Sequence, residues 1–169
     1  MKALIVVDYQ NDYVTGPMGN KYAKMIEDNI CKRIEETLEN NGDVFFLMDS
    51  YSEDYNSTPE GRKHPVSHCI RGTYGAELHG KVGKYLNRGH ILRKTTPGSE
   101  ELFKRITRYY EVELCGLEMN KDILVNALIV QTANPKANIV IRQNCVAATD
   151  SLLGEEAMDI LSALNVKLI

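Results

Sequence analysis

The chain opens with an unbroken apolar run, Ala3 to Val7, that ends on a carboxylate, Asp8. A run with no polar alternation predicts a strand buried on both faces, as in a parallel sheet covered by helices. After a turn-rich segment with Gly16, Pro17 and Gly19, apolar residues recur at helical spacing at Met25, Ile26, Ile30, Ile34 and Leu38, and Asn40, Asn41 and Gly42 end that helix. A second strand is expected over Val44 to Met48, followed by Asp49. The segment from Ser50 to Thr73 is polar and broken by Pro59, Gly61, Pro65 and Gly72, long enough to read as a functional loop.

The same alternation continues to the end. A helix is expected from about Gly75 to Leu86 and a third strand over Gly89 to Arg93, ending on Lys94. Ser99 is placed to cap a short helix to about Thr107, with Glu100 and Glu101 in its first turn. Strand four is Glu111 to Cys115. Gly116 then turns the chain into an apolar helix, Asp122 to Val130. A fifth strand at Asn138 to Ile141, a helix at Asp150 to Leu164 and a sixth strand at Val166 to Ile169 complete the pattern. Alternating strands and helices imply right-handed crossovers, hence a three-layer, Rossmann-like α/β fold with a parallel sheet between helices.

Length and charge narrow the function. At 169 residues the chain fits one domain, residues 1–169, able to bury roughly two thirds of its unfolded surface. A net charge of −3 provides no basic stripe for a phosphate backbone, so nucleic-acid binding is not expected. No apolar run approaches the ~20 residues of a membrane span, and the first residues enter a strand where a signal peptide would show a basic region, so a cytoplasmic location is expected. Cys31, Cys69, Cys115 and Cys145 lack CxxC spacing, and reduced thiols are the default. No G-x-G-x-x-G follows the first strand and no P-loop pattern is present, so nucleotide binding lacks support.

Candidate chemistry gathers at one sheet edge. Asp8, Lys94 and Asp122 lie at or just beyond the carboxyl ends of three strands, where ligands of open α/β sheets bind. Each taken alone also reads as a solvated side chain or helix cap.

Four segments carry a family likeness: DYQNDY at Asp8 to Tyr13, HCIRGTYGAEL at His68 to Leu78, RKTTPGS at Arg93 to Ser99, and CGLEMNKDILVNAL at Cys115 to Leu128. On these the chain resembles the isochorismatase-like superfamily of cysteine hydrolases, which includes nicotinamidases, over essentially its full length. The resemblance implies a hydrolase site with Asp8 as general base and Lys94 stabilising charge beside it. Nicotinamidase-like members run roughly G-x-x-T-(D/N)-x-C-V after strand four. Here the segment reads Gly116, Leu117, Glu118, Met119, Asn120, Lys121, Asp122, Ile123, so Asp122 takes the cysteine position and Met119 the threonine position. Cys115, on the preceding strand, does not substitute for the missing thiol. A carboxylate is a poor nucleophile toward amides, and the usual thiol mechanism is not expected to run.

Two carboxylates near one lysine would instead share a proton and supply an acid and a base. Isochorismatases proper act on a vinyl ether without the cysteine, so acid-assisted hydrolysis of a small planar or cyclic metabolite remains open. A catalytically silent relative kept for binding or regulation is the competing reading. A cysteine-to-aspartate replacement made to trap a substrate would read the same way.

The resemblance also implies zinc. The corresponding positions are Asp49, Tyr51, Glu60 and His68, with a family histidine replaced by Tyr51, leaving Asp49, Glu60 and His68 as candidate ligands and His64 nearby. Tyr13 and Tyr74 fall where the family presents aromatic rings to a planar substrate, and Glu118 where relatives can have a strained peptide near an oxyanion hole. Homo-oligomers are common in the family, so one is expected here.

Overall fold

The structure is a computed structural model describing residues 1–169. Its six strands are β1 (Lys2–Val7), β2 (Asp43–Asp49), β3 (His90–Lys94), β4 (Glu111–Gly116), β5 (Asn138–Val146) and β6 (Lys167–Leu168). They form one sheet in the order β3-β2-β1-β4-β5-β6 with every pairing parallel. The α-helices are α1 (Asn11–Val14), α2 (Glu27–Glu39), α3 (Pro59–Lys63), α4 (Glu100–Arg105), α5 (Leu124–Ala133) and α6 (Ser151–Ala163). No helix is long and apolar enough to cross a membrane.

The continuous apolar run of β1 follows from its central place. Ile5 and Val7 enter a core with Leu47, Leu92, Ile123, Ala127 and Leu161, under α4, α5 and α6. Leu4 and Val6 enter the opposite core with Phe46, Ile30 and Ile34, under α2. Each fully buried aliphatic or aromatic side chain contributes about 1.5–3 kcal/mol of transfer free energy, so both faces resist a shift of register.

Helix starts follow the expected chemistry. Ser99 Oγ accepts a hydrogen bond from Leu102 N at 3.1 Å, and Asp150 Oδ1 accepts from Leu152 N and Leu153 N at 3.0 and 3.2 Å.

Three elements differ from the sequence expectation. The helix expected over Gly75 to Leu86 is two 3₁₀ segments, Tyr74–Ala76 and Val82–Arg88. Gly80, at φ +51°, turns the backbone left-handed between them, which a continuous helix cannot accommodate. β5 runs on to Val146, beyond the Ile141 limit, through a register irregularity opposite Leu114 and Gly116. The apolar helix starts with a π-helical turn, Met119–Ile123, before α5, so Asp122 sits in a widened turn that closes with Ile123 N donating to Glu118 O at 3.0 Å.

The strand order reverses direction between β1 and β4, and their carboxyl ends are pressed together. Gly116 has φ +110°, and a Cβ there would lie 2.1 Å from Val7 O. Only glycine permits the approach, and Leu117 N then donates to Val7 O at 2.9 Å. Open α/β sheets bind ligands at such a switch point.

Candidate active site

Asp8 leaves β1 at φ +48°, a conformation strained for a residue with a Cβ, and the residue is 1% exposed. The in-register pairing of Asp49 with Lys94 at the ends of β2 and β3 brings those two side chains to the same face. Lys94 Nζ then lies 2.6 Å from Asp8 Oδ2, 2.7 Å from Asp49 Oδ1 and 3.3 Å from Asp122 Oδ1. One ammonium thus holds three carboxylates, and all four residues are buried.

The frame around them is built from buried side chains bonded to backbone groups. Asp49 N donates to Asp8 Oδ1 at 3.1 Å and to Gln10 Oε1 at 2.9 Å, while Gln10 Nε2 donates to the carbonyls of Asp49 and Ala76, both at 2.8 Å. Fully buried Asn126 donates to Asp122 O at 2.7 Å and to Pro97 O at 2.8 Å, and accepts from Ser99 N at 3.1 Å. It ties the turn after Lys94 to the turn that carries Asp122. Glu118 follows a cis Leu117–Glu118 peptide. Its carboxylate accepts from Asn20 Nδ2 at 2.8 Å and from Thr149 N at 2.7 Å, which fastens two loops to the end of β4.

Burial dominates the electrostatics. It pushes the Asp8 carboxyl well above the usual carboxylate range; Asp49 and Asp122 add to the rise, and Lys94 only partly offsets it. Burial also raises Asp122, against the pull of Lys94 and of exposed Lys121. For Lys94 burial opposes the charge, yet the three carboxylates outweigh it and hold the ammonium well above its ordinary value. In such a cluster the carboxyls hold their protons to higher pH than ordinary carboxylates, and the lysine holds its charge more firmly than an ordinary lysine.

The corner expected to hold zinc is organised differently. Asp49 Oδ2 accepts from the Tyr13 hydroxyl and, at 3.4 Å, from the Tyr51 hydroxyl, so both carboxylate oxygens are engaged. The His68 ring is wedged edge-on among Tyr13, Tyr51 and Tyr55, with centroids 5.1–5.3 Å away, and its Nδ1 lies 2.7 Å from Val66 O. Glu60 stands on α3 with His64 Nε2 4.0 Å from its carboxylate. No three His, Cys, Asp or Glu side chains converge where they could hold a metal ion. The expected trio Asp49, Glu60 and His68 is not gathered into one cluster: tyrosine hydroxyls and Lys94 engage both oxygens of Asp49, and His68 Nδ1 lies against Val66 O.

The structure brings Asp8, Lys94 and Asp122 together and places buried Tyr13 against Asp49; Tyr74 stands apart, 72% exposed on its 3₁₀ turn. Sequence reasoning missed Asp49 as the third partner of Lys94, and missed Asn126 and Gln10. The strand-end position of Asp49 was the available signal, since it mirrors that of Asp8.

A parallel sheet with a charged, buried constellation at its switch point places the chain among the open α/β proteins. The Isochorismatase domain profile matches residues 2–169, and the chain belongs to the isochorismatase family. It is 32% identical to the uncharacterized isochorismatase family protein PncA of Bacillus subtilis (strain 168), across 87% of this chain and 86% of the relative. The crystal structure of nicotinamidase PncA from Bacillus subtilis superposes with a TM-score of 0.86 at 29% identity, covering 99% of this chain and 98% of that one. A pyrazinamidase of Pyrococcus horikoshii in complex with zinc gives a TM-score of 0.86 with the same coverages; at 20% identity it shows the shared fold.

Proposed function

We propose that this protein is a hydrolase of small planar or cyclic metabolites that works without a thiol, using Asp8 and Asp122 around Lys94 as an acid and a base. The carrying observation is the single lysine holding three buried carboxylates, with Asp8 and Asp122 both raised. Asp8, the more strongly raised, donates a proton to the leaving group or to the polarised double bond of a vinyl ether. Asp122 in its ionised form orients the attacking water, and Lys94 stabilises whichever carboxylate carries the charge. The arrangement follows the general rule that neighbouring carboxyls in unlike environments divide the acid and base roles. Amide cleavage by nucleophilic attack is outside its reach, since the resemblance puts Asp122 where relatives keep their cysteine.

The related pyrazinamidase is described with zinc, but here the tyrosine-lined corner supports a site that orients substrate by packing and hydrogen bonding instead. Lys94, Tyr13 and Tyr51 do the holding of Asp49.

The test is ammonia release from nicotinamide by the protein and by Asp122→Cys. The cysteine variant alone should release ammonia, which would identify an amidase-shaped pocket whose nucleophile is missing. Release by the unmodified protein would contradict a thiol-free, non-amidase site. Once a substrate of the unmodified protein is found, Asp8→Asn should abolish its turnover; unchanged turnover would remove Asp8 from the chemistry.

A second reading, a binding or regulatory relative without turnover, is favoured by the closure of the constellation. Asp8, Lys94 and Asp122 are 1%, 6% and 5% exposed, and none of the five principal surface pockets is lined by any of them. On that reading no substrate is consumed by the unmodified protein.

A further inference from the structure

Two arginines without acidic partners line a cleft at the edge of the sheet. β3 is the edge strand, and the α2-side core thins out beneath it, leaving a cleft of about 220 Å³. The floor is apolar: Met48, Leu78, Leu86 and Ile91 belong to that core. Arg93 stands two residues after Ile91 on β3, hence on the same face, and pairs in register with Met48. Arg71 comes from the loop before the 3₁₀ segment Tyr74–Ala76. Its backbone is pinned by Arg71 N donating to Tyr51 O at 2.8 Å, and Gly72 turns the chain after it at φ +81°. Arg71 Nε donates to Ser50 Oγ at 3.3 Å, which leaves its Nη groups without a protein acceptor. The acids nearby do not answer this charge. Asp49 lines the cleft, but both its oxygens are taken by Lys94 and the hydroxyls of Tyr13 and Tyr51. Glu77 is exposed at the rim and forms no ion pair with either arginine. The larger cavity of about 590 Å³, at the amino ends of the strands, is the contrast: there Arg33 and Arg142 are both tied to buried Glu113. Arg71 and Glu77 belong to the HCIRGTYGAEL segment and Arg93 to RKTTPGS, so two separate segments supply one cleft that the hydrolase reading does not use.

We propose that this cleft binds a small organic monocarboxylate with a compact apolar body, its carboxylate held by Arg71 and Arg93. A guanidinium offers a carboxylate two parallel N–H donors, and the apolar floor takes the rest of the molecule. The volume suits a single ring or a short branched chain and is small for a nucleotide. The site is open to solvent, unlike the buried constellation next to it. The inference draws on neither Asp8, Lys94 nor Asp122, and it holds whether or not the chain turns a substrate over.

Benzoate, benzyl alcohol and inorganic phosphate separate the two requirements, because the first has ring and charge, the second the ring alone and the third the charge alone. Binding to the full chain is read by titration calorimetry at low ionic strength. Benzoate should bind with a dissociation constant of roughly 0.1–1 mM, about tenfold or more tighter than either of the others. Arg71→Gln and Arg93→Gln should each weaken benzoate about tenfold. Glu77→Gln should tighten it roughly two- to fivefold by removing a like charge at the rim. Lys136→Gln, in the turn before β5 and outside the cleft, lowers the net charge as much as either arginine variant and should leave the affinity unchanged. Both arginines are exposed, so thermal midpoints close to the parent's are expected of the variants. Should a variant fail to fold, the ranking of the three probes on the unmodified protein decides. Benzoate binding no tighter than benzyl alcohol or phosphate, no benzoate binding by about 10 mM, or an affinity unchanged in both arginine variants would each overturn the inference. Turnover is scored separately. Benzoate binding that depends on Arg71 and Arg93, in a protein that consumes no substrate, removes the hydrolase reading and keeps this site; turnover of a substrate without benzoate binding does the reverse.

Discussion

Two corners meet at Asp49, and they are built on opposite principles. On one side Lys94 gathers Asp8, Asp49 and Asp122 into a charged group with more carboxylate than counter-charge. On the other, Tyr13, Tyr51 and Tyr55 pack edge-on around His68 and turn two hydroxyls toward the same Asp49. The charged corner is costly to assemble and is held by the fold around it; the aromatic corner stabilises through buried area and hydrogen bonds. Strained, desolvated groups concentrated in one corner, with ordinary packing in the next, are what support placing the proposed site at Asp8, Lys94 and Asp122.

The largest effect should come from removing the hub. Lys94→Ala leaves three buried carboxylates without their cation and should destabilise the fold by about 3–5 kcal/mol, read by urea unfolding at neutral pH. A loss under about 1 kcal/mol would mean that the carboxylates find solvent and that the cluster is not a unit. In the aromatic corner, Tyr55→Ala should cost about 3–5 kcal/mol through lost packing, but with no dependence on pH between 5 and 8, which separates the two corners by mechanism even where magnitudes match.

A smaller effect distinguishes them by sign. Asp8 and Asp122 have folded-state pKa values raised above the ~4 of an unfolded carboxyl. Between those values the native state binds more protons than the unfolded chain, so stability is full below pH ~4 and declines as pH rises through the folded values. Unfolding free energies measured from pH 4.5 to 8 should fall with pH on this account, and Asp122→Asn should flatten the slope by removing one of the titrating pair. A rising slope that persists in Asp122→Asn would contradict the electrostatic picture. The smallest effect concerns metal: zinc or a chelator should move the thermal midpoint of the unmodified protein by less than about 1 °C, since no ligand set gains or loses an ion.

The layers and the sheet were legible because both depend on patterns a sequence states openly. An apolar run such as Ala3 to Val7 has no wet face to offer, and the side chains of β1 do divide between two cores. Asp8, Lys94 and Asp122 were legible as a group because parallel strands all end at one edge. What was not legible depends on register and loop course. Asp49 was read as a metal ligand from its place in the family pattern, yet strand register sets it beside Lys94, and a tyrosine six residues after β1 fills its second oxygen. The segment from Gly75 to Leu86 carries helical spacing, but Gly80 takes a positive φ and divides it. Asn126 sits mid-helix, where its three buried hydrogen bonds have no one-dimensional signature.

The central claim is that the cluster holds a proton on Asp8 at a pH where an ordinary aspartate has lost it. Carbon-detected NMR titration of the Asp8 carboxyl, in the protein and in Asp122→Asn, measures this without reference to any substrate. The account predicts a midpoint well above the usual carboxylate range that moves downward when Asp122 is neutralised. A midpoint near 4, or one that Asp122→Asn leaves in place, would contradict it.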